Sequence, residues 1–402
     1  MTESELAPAD PPIFPFASGH TVDIHPDYAR LRRDDPVPLV RLGSGGQAYL
    51  ATRYDDVKRV FADPVFSRAA SSRPGAAVLT QSGKIPHLML NMDPPDHTRM
   101  RKLVARAFTT RAVERMRPRA QDVADELVDA MIAQGPPVDF VAAFAAPLPA
   151  LVVSEMLGVP AADRDRLLDW LSVTLSIGAH PPERIQQVFG EVMTYLGGLI
   201  AAKRAVPADD LLSALIAARD EEDRLSEPEL LYNAYLLISG GFETTAGLLA
   251  NSVLVLDRHP DQRDLLRERP ELIPAAVDEL LRYVPIAWCA LQRIALDDVE
   301  LSGVKVPAGS SVVPMTYSAN RDEALVEEPD RFDVTRPPMP HMALGHGVHR
   351  CLGAPLARLE IQTAFATLVR RLPDLRPAGP ESELEWKRGV LTVGPVALPV
   401  VW

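Results

Sequence analysis

Apolar residues recur at intervals of three and four along most of the chain, which is the spacing of one face of an α-helix. The segments "AVERMRPRAQDVADELVDAMIAQG", "DRDRLLDWLSVTLSIG" and "RIQQVFGEVMTYLGGLIAAKRA" all have this spacing, and the first of them ends in glycine. Glycine commonly follows the last turn of a helix. The pattern therefore predicts a mainly helical protein.

The longest predicted helix runs from Pro228 to Arg258. Ser226 precedes it as N-cap, Glu229 follows three residues later, and Pro228 lies in the first turn, a combination typical of a helix start. A helix of this length spans about 45 Å, which is enough to cross a large domain. Because it is apolar on nearly all faces, we expect it to be buried.

Strand patterns are few and grouped. "QAYLATR" near the start and "VELSGVKVPAGSSVVPM" later in the chain alternate apolar and polar residues between glycine turns, which is typical of strands. No internal repeat and no low-complexity linker divides the chain. We predict one mainly α (α+β) domain over residues 1–402, with β-rich parts at about 35–65 and 290–320.

Composition and charge exclude several classes of function. The 402 residues are 47% apolar and 24% charged, which is ordinary for a globular protein. A formal net charge of −12 argues against a nucleic-acid partner, because phosphate binding needs a basic surface. No stretch reaches the roughly 18 uncharged apolar residues of a membrane span, and the acidic, proline-rich N-terminus does not match a signal peptide.

Cysteine usage points to a reducing compartment. Cys289 and Cys351 are the two cysteines of the sequence, too few for a disulfide framework. We therefore expect a cytoplasmic protein.

One basic stretch, residues 97–119, reverses the acidic balance. It holds eight lysines and arginines against one acid, Glu114. A solvated helix face explains such a run, and so does a docking surface for an acidic partner or an anionic ligand.

A cluster of metal-binding side chains lies in the stretch "ALGHGVHRCLG", residues 343–353. His341, His346, His349 and Cys351 could together bind zinc, which accepts mixed nitrogen and sulfur ligands. Against zinc, all four donors would come from one short loop rather than from two separated ones. The glycines Gly345, Gly347 and Gly353 leave little bulk around Cys351, as if a flat, wide ligand lay against the backbone.

Three distant segments favour the larger ligand. "ISGGFETT" places Gly240 and Gly241 inside the long helix, where each glycine destabilises the helix by about 1 kcal/mol relative to alanine. The acid Glu243 and the hydroxyl residue Thr244 follow them. "DELLRYVP" spaces two charged residues for a helical ion pair, and "DPPDHTRMRKLVARAF" places two cationic residues four apart. These residues are Glu279 and Arg282 in the first pair and His97 and Arg101 in the second.

Together, these segments make the chain similar to the cytochrome P-450 family of haem-thiolate monooxygenases, and to its soluble bacterial members in particular. "LGHGVHRCLGAPLAR" resembles the haem-binding loop of the family, and "GGFETT" resembles its oxygen-activating helix. "ELLR", "PDRFDV" and "DPPDHTRMRKLV" resemble its Glu-x-x-Arg helix, its arginine segment and its propionate-binding helix. The resemblance implies the cytochrome P-450 fold, with haem between the long central helix and the cysteine loop.

The resemblance also implies a cofactor and the residues that hold it. Cys351 would be the axial thiolate of a non-covalent haem b, a ligand that favours cleavage of the O–O bond. Two sets of neighbours would contact the haem or its propionates. Cationic or donor side chains are implied at His97, Arg101, Arg293 and His349. Close backbone or packing contacts are implied at Gly240, Gly241, Leu344, Gly345 and Gly353.

By the same resemblance, Glu243 and Thr244 would deliver protons to the oxygen that is activated at the haem. Glu279, Arg282 and Arg331 would form a structural triad. Their role would be in stability, because breaking a buried ion pair costs about 3–5 kcal/mol. The family has phenylalanine where this chain has Leu344, a difference that affects packing near the sulfur.

The resemblance implies an enzyme that hydroxylates or epoxidises a hydrophobic or amphipathic molecule in secondary metabolism, such as antibiotic biosynthesis. Electrons would come from an external acidic ferredoxin, docked near residues 97–119 and the Cys351 loop, and an NAD(P)H-dependent reductase. Oxidative coupling or cyclisation without oxygen insertion is a second hypothesis, and a non-catalytic haem- or zinc-binding protein a third. The predicted substrate residues are Leu79, Leu88, Met89, Leu236, Gly240, Ala287, Trp288, Cys289 and Leu391.

Overall fold

Helices make up most of the architecture. The computed structural model describes residues 11–16, 22–79, 85, 87–174, 180–220, 225–287, 289–388 and 391–402. In these ranges the α-helices are α1 (Asp27–Asp34), α2 (Tyr54–Ala62), α3 (Asp96–Ala105), α4 (Thr110–Glu114), α5 (Arg117–Gln134), α6 (Pro147–Leu157), α7 (Arg164–Thr174), α8 (Pro182–Ala205), α9 (Leu211–Asp220), α10 (Glu227–Arg258), α11 (Pro260–Glu268), α12 (Ile273–Tyr283), α13 (Thr316–Ala319) and α14 (Ala354–Arg371).

Eleven short strands are described beside the helices. They are β1 (Ile13–Phe14), β2 (Leu39–Leu42), β3 (Gln47–Ala51), β4 (Phe66–Ser67), β5 (Val138–Asp139), β6 (Arg293–Ala295), β7 (Val299–Leu301), β8 (Val304–Val306), β9 (Ser311–Pro314), β10 (Arg376–Pro377) and β11 (Pro399–Val401).

The largest sheet joins two distant parts of the chain. Its strand order is β1-β2-β3-β9-β6-β4, and the central pair β3 and β9 is parallel, with Tyr49 opposite Val312. The two stretches predicted to be β-rich thus supply strands to one sheet, although Tyr54–Ala62 within the first stretch is helical. Two smaller sheets follow the orders β10-β11-β5 and β7-β8.

Helix α10 forms the axis of the helical part, as its sequence predicts. Ser226 Oγ accepts a hydrogen bond from the backbone N–H of Glu229, and the Glu229 carboxylate accepts one from the N–H of Ser226. Helix α10 packs against α6, α8 and α14, and α14 also packs on α5. The capping box and the buried position predicted for this helix are confirmed.

One predicted helix is divided in two. The segment 112–135 forms the end of α4 and then α5, with Pro118 in the first turn of α5. Proline has no backbone N–H to donate, so it is tolerated in the first turn of a new helix but not inside a continuous one.

A buried ion pair lies within α12, and its arginine also donates to backbone carbonyls of the segment before the cysteine loop. Arg282 donates two hydrogen bonds to Glu279, at 2.7 and 2.8 Å, and both side chains are at most 1% exposed. The third member of the group, beside Glu279 and Arg282, is Arg336, which lies 3.4 Å from Glu279, and not Arg331. The prediction for Arg331 is wrong in its side chain, which is 58% exposed and pairs with Glu328, while its backbone carbonyl accepts from Arg282.

Candidate active site

A cavity of about 430 Å³ lies between helix α10 and the cysteine loop. Segments from α3, β6, the loop before it and the start of α14 complete its wall. All of the predicted cofactor residues line this cavity, together with the predicted catalytic residue Thr244: His97, Arg101, Gly240, Gly241, Arg293, Leu344, Gly345, His349, Cys351 and Gly353.

The cysteine loop depends on glycine backbone geometry. Gly345 and Gly347 have φ angles of 68° and 67°, which favour glycine. A Cβ on Gly347 would lie 2.6 Å from the carbonyl oxygen of Phe61, so a larger residue would push the loop off α2. The loop closes where the N–H of Cys351 donates to the carbonyl of Leu344 at 2.8 Å.

The Cys351 side chain is exposed to the cavity. Burial among protein atoms raises the pKa of its thiol, while the backbone N–H of Gly353 and the charges of Arg101, Arg350 and Arg358 act to lower that pKa. These groups stabilise a thiolate in an otherwise apolar setting, which is the form that binds a metal.

Five cationic or imidazole side chains line the cavity near Cys351. His97 and His349 lie with ring centroids 4.1 Å apart. Three ring nitrogens, both of those of His97 and Nε2 of His349, have no hydrogen-bond partner in the described part of the chain. Burial lowers the pKa of His97 to about 4 and that of His349 to about 2. The other members are Arg68, Arg101 and Arg293.

The two most buried arginines of this group repel each other. Burial lowers the pKa of Arg293 to about 9, with the charge of Arg68 lowering it further and Asp93 raising it. Burial likewise lowers the pKa of Arg68 to about 10. Arg68 was not predicted from the sequence; its guanidinium donates to the carbonyl of Leu90 at 3.1 Å and to Asn91 at 2.7 Å. Such an excess of buried positive charge fits a ligand with carboxylates.

Helix α10 contributes several residues to the cavity wall. Two of them, Gly240 and Thr244, are exposed although most of the helix is buried. No atom lies within 4 Å of a Cβ built on Gly240, whereas a Cβ on Gly241 would meet Val153 of α6 at 3.0 Å. The Thr244 hydroxyl donates to the carbonyl of Gly240 at 3.2 Å. Gly240 therefore leaves space for a ligand, and Gly241 allows helix packing.

The predicted acid beside Thr244 points in another direction. Glu243 is 7% exposed and does not line the cavity. Its carboxylate accepts hydrogen bonds from Thr392 at 2.9 Å and from Lys387 at 3.2 Å. Adjacent helical residues project about 100° apart, so the acid and the hydroxyl lie on different faces of α10.

A second buried acid lines the cavity and was not predicted. Glu360 of α14 is 1% exposed, and its Oε1 has no hydrogen-bond partner in the described residues. Burial raises its pKa well above the usual value, against a hydrogen bond with Thr245 that lowers it. Burial therefore favours the neutral form of the Glu360 carboxyl group.

Local sequence patterns indicate Arg68 and Glu360 only weakly. Arg68 stands in "VFSRAAS" and Glu360 in "ARLEIQTAF", each a charged residue amid apolar or small neighbours. That context is a weak sign of a buried charge.

The predicted substrate residues divide into three groups. Met89, Leu236, Ala287, Cys289 and Leu391 line the cavity, as does Gly240. Leu79 and Leu88 do not line the cavity, so the prediction is wrong for them; both are buried in hydrophobic clusters. Trp288 lies outside the described residues. Apolar residues that were not predicted, including Phe108, Val153 and Leu248, also line the wall.

The zinc alternative is contradicted. No group of three or more His, Cys, Asp or Glu side chains in the described ranges could hold a metal ion. His341 instead lies 3.6 Å from Asp278, and its Nδ1 accepts a hydrogen bond from the N–H of Ala343.

Comparisons with known proteins agree with this geometry. The cytochrome P450 family model matches residues 183–393. The mycinamicin IV hydroxylase/epoxidase of Micromonospora griseorubida is 45% identical over 99% of this chain and 100% of its own length. The chain belongs to the cytochrome P450 family.

Two further P450 relatives extend the comparison. The nocardicin C N-oxygenase of Nocardia uniformis subsp. tsuyamanensis is 46% identical, covering 97% of this chain and 98% of that protein. The crystal structure of cytochrome P450mel 107F1, which has biaryl coupling reactivity, has a TM-score of 0.91 and 39% identity, covering 97% of this chain and 99% of that one. The protein therefore has the P450 fold.

Family membership makes the protein an oxidoreductase, a P450 monooxygenase with haem b as cofactor and O2 as cosubstrate. The residues present fit a haem. Three buried imidazole nitrogens have no hydrogen-bond partner in the described residues, and burial with the charge of Arg68 lowers the pKa of Arg293, so carboxylates would complete this group. The glycine backbone leaves open space at Gly240. No helix within the described ranges combines the length and the apolar character that crossing a membrane requires.

Proposed function

We propose that this P450 monooxygenase inserts an oxygen atom into a hydrophobic or amphipathic natural product, by hydroxylation or epoxidation, as a step in antibiotic biosynthesis. The observation that carries the proposal is the single cavity that holds Cys351, Thr244 and a mainly apolar wall. Apolar walls with a few polar groups favour organic ligands of this kind. The names of the mycinamicin and nocardicin enzymes support the same class of substrate.

Cys351 would bind the haem iron as a thiolate. Bound in this way, the haem supplies the reductive activation of O2, and the thiolate favours cleavage of the O–O bond. The other residues bind and orient the group. Arg293 and Arg101 neutralise the propionates, while neutral His97 and His349 each donate one N–H to them.

Proton delivery is assigned to Glu243 and Thr244. The Thr244 hydroxyl lies at the cavity wall and donates to the carbonyl of Gly240; with haem bound, this hydroxyl would hold and pass on a proton for the oxygen that is activated. Glu243, on the adjacent face of α10, exchanges protons with solvent near Lys387. General acids of this kind contribute about 10²- to 10⁴-fold to a rate.

Electrons would reach the haem from a ferredoxin, reduced by an NAD(P)H-dependent reductase in the cytoplasm. Four basic residues of the 97–119 stretch support a docking surface, since they are exposed and have no acidic partner among the described residues: Lys102, Arg106, Arg111 and Arg115. Several others in the stretch are already paired, such as Arg117 with Glu114 and Arg119 with Glu155. An acidic partner gains association rate from such a patch.

Oxidative coupling or cyclisation remains the second candidate. The likeness to the biaryl-coupling P450mel supports it, because the two chains share the fold over nearly their whole length. Coupling removes two hydrogen atoms from the substrates and adds no oxygen. The mass of the product therefore separates the two reactions.

The test is turnover of a panel of macrolide and peptide natural products with ferredoxin, reductase and isotopically labelled O2. The proposal expects a product that gains one labelled oxygen atom. A product that has lost two hydrogens and carries no label would replace it with the coupling reaction. Thr244→Ala is the matched variant, and it should divert reducing equivalents to peroxide while substrate still binds.

A further inference from the structure

Two side chains of the C-terminal region hold the Glu243 carboxylate. They belong to what we call the C-terminal ribbon, the antiparallel segments 385–388 and 391–396. Thr392 Oγ1 donates to Glu243 Oε1 at 2.9 Å, and Lys387 Nζ donates to the same oxygen at 3.2 Å. The Glu243 side chain is 10% exposed and that of Lys387 is 25% exposed. The acid is thus fixed by two bonds and reaches solvent beside a cation.

The ribbon is docked closely on the same face of α10. Gly247 and Asn251 follow Glu243 at intervals of four residues, which places all three on one stripe of the helix. A Cβ on Gly247 would lie 3.2 Å from the carbonyl oxygen of Val393. Asn251 Nδ2 donates to that carbonyl at 2.9 Å. Contacts at Gly247 and Asn251 therefore fix the distance between the ribbon and two turns of α10. This packing places the Thr392 hydroxyl within hydrogen-bond distance of Glu243.

The ribbon also forms part of the cavity wall. Leu391, the residue before Thr392, lines the cavity. Thr392 pairs with Ala287, and the N–H of Val393 donates to the carbonyl of Ile286 at 2.9 Å. Ala287 and Ile286 line the cavity as well. Two adjacent residues of the ribbon therefore have different contacts: Thr392 donates to Glu243, and Leu391 can contact a ligand in the cavity.

We propose that Lys387 and Thr392 are positioning residues for Glu243, and that the ribbon couples occupancy of the cavity to the placement of this acid. The inference rests on the proposed role of Glu243 in proton delivery. Thr392 orients the carboxylate from the ribbon, and Lys387 holds the same oxygen with a second hydrogen bond at the solvent side. A ligand packed against Leu391 displaces the adjacent Thr392 and changes its hydrogen bond to Glu243.

The first test reads the carboxylate itself. Infrared difference spectra of the haem-loaded protein assign the Glu243 stretch as the band that Glu243→Gln removes. Phenylimidazole serves as the probe that fills the cavity. The proposal expects the probe to shift the band in the wild type. It expects Thr392→Val to shift the band without probe and to abolish the response, and Thr392→Ser to restore both.

The second test measures proton delivery through two quantities, the rate of product formation and the peroxide released per reducing equivalent. Lys387→Met should slow product formation by about tenfold, in line with loss of acid positioning, and should raise the peroxide released per reducing equivalent. Lys387→Arg should recover most of the effect, because it keeps the cation. Lys305→Met is the matched control: this lysine is exposed on β8, away from the site, and its replacement should leave both quantities unchanged.

The outcomes separate this inference from the proposed function. If Thr392→Val and Lys387→Met leave the Glu243 band at its wild-type position, the inference is overturned even when product still forms. If the band responds as expected but the wild type inserts no oxygen into any product, the proposed reaction fails while the positioning of Glu243 stands. A band that moves in Thr392→Val but never responds to phenylimidazole would overturn the coupling to the cavity.

Discussion

Two groups of buried charges in this molecule differ in how they are neutralised. In the first, the Arg282 guanidinium donates twice to Glu279 and its remaining N–H groups donate to backbone carbonyls, including that of Asn320. In the second, the cationic cluster of the cavity, Arg68 and Arg293 lie together with His97 and His349, and Asp93 is the one acid that raises the pKa of these arginines.

The difference separates a structural site from a binding site. A buried charge whose hydrogen bonds are all made within the protein stabilises one arrangement of the chain. A buried charge without a partner is unfavourable until a ligand supplies one. The Glu279–Arg282 pair belongs to the first kind. Within the cationic cluster, Arg293 belongs to the second kind, and its missing partner has the chemistry of the two propionates of haem.

The largest effect should come from breaking the completed pair. Arg282→Ala leaves Glu279 charged and buried, so we expect a loss of about 3–5 kcal/mol in the free energy of unfolding. Denaturant unfolding of the haem-loaded protein measures it. A loss below about 1 kcal/mol would mean that this pair is not the structural member of the comparison.

Removing one charge from the cationic cluster should act in the opposite direction on the haem-free protein. Arg293→Met takes away a buried cation that other cations repel, so the haem-free protein should become more stable. Haem binding should weaken by about 1.5–3 kcal/mol, or about ten- to a hundredfold, because one charged hydrogen bond is lost. Haem titration and denaturant unfolding, carried out in parallel, check both signs. Destabilisation of the haem-free protein would contradict the assignment.

Acidification should sharpen the same contrast. The pKa of His97 is about 4 in the folded protein against an ordinary value of 6.5. Between these values the unfolded chain binds a proton that the folded chain does not, so stability falls as the pH drops from 6.5 to 4 and then levels off. We expect His97 to account for about 2 kcal/mol of this loss in the haem-free protein. Unfolding curves of wild type and His97→Phe over this range measure the difference.

The smallest effect tests which arginine is the third member beside Glu279. Arg336→Met should lower stability by about 1 kcal/mol, because that side chain is 14% exposed and lies 3.4 Å from Glu279. Arg331→Met should be nearly neutral, since the Arg331 side chain is 58% exposed. Thermal unfolding of the two variants decides between them. A larger loss for Arg331→Met would restore the prediction made from the sequence.

Local patterns predicted the parts of the fold that depend on neighbouring residues. The capping box at Ser226 and the length of α10 follow from spacing and helix-start chemistry, and both are confirmed. The residues of the cysteine loop lie around one cavity because the loop is short and its glycines determine its path.

Contacts between distant segments could not be predicted in the same way. Arg331 and Arg336 are five residues apart, and only the folded backbone decides which one reaches Glu279. Arg68 joins the cavity through contacts with residues 90–93 and 292. Lys387 meets Glu243 across 144 positions of sequence. Spacing along the chain carries no information about such pairs.

The absorption spectrum of the reduced protein under carbon monoxide tests the central claim most directly, namely that Cys351 binds haem as a thiolate beside the cationic cluster. We predict a strongly red-shifted Soret band in the wild type and its loss in Cys351→Ser, with Leu344→Phe keeping the band. Haem bound without the red shift in the wild type, or an unchanged band in Cys351→Ser, would contradict the account.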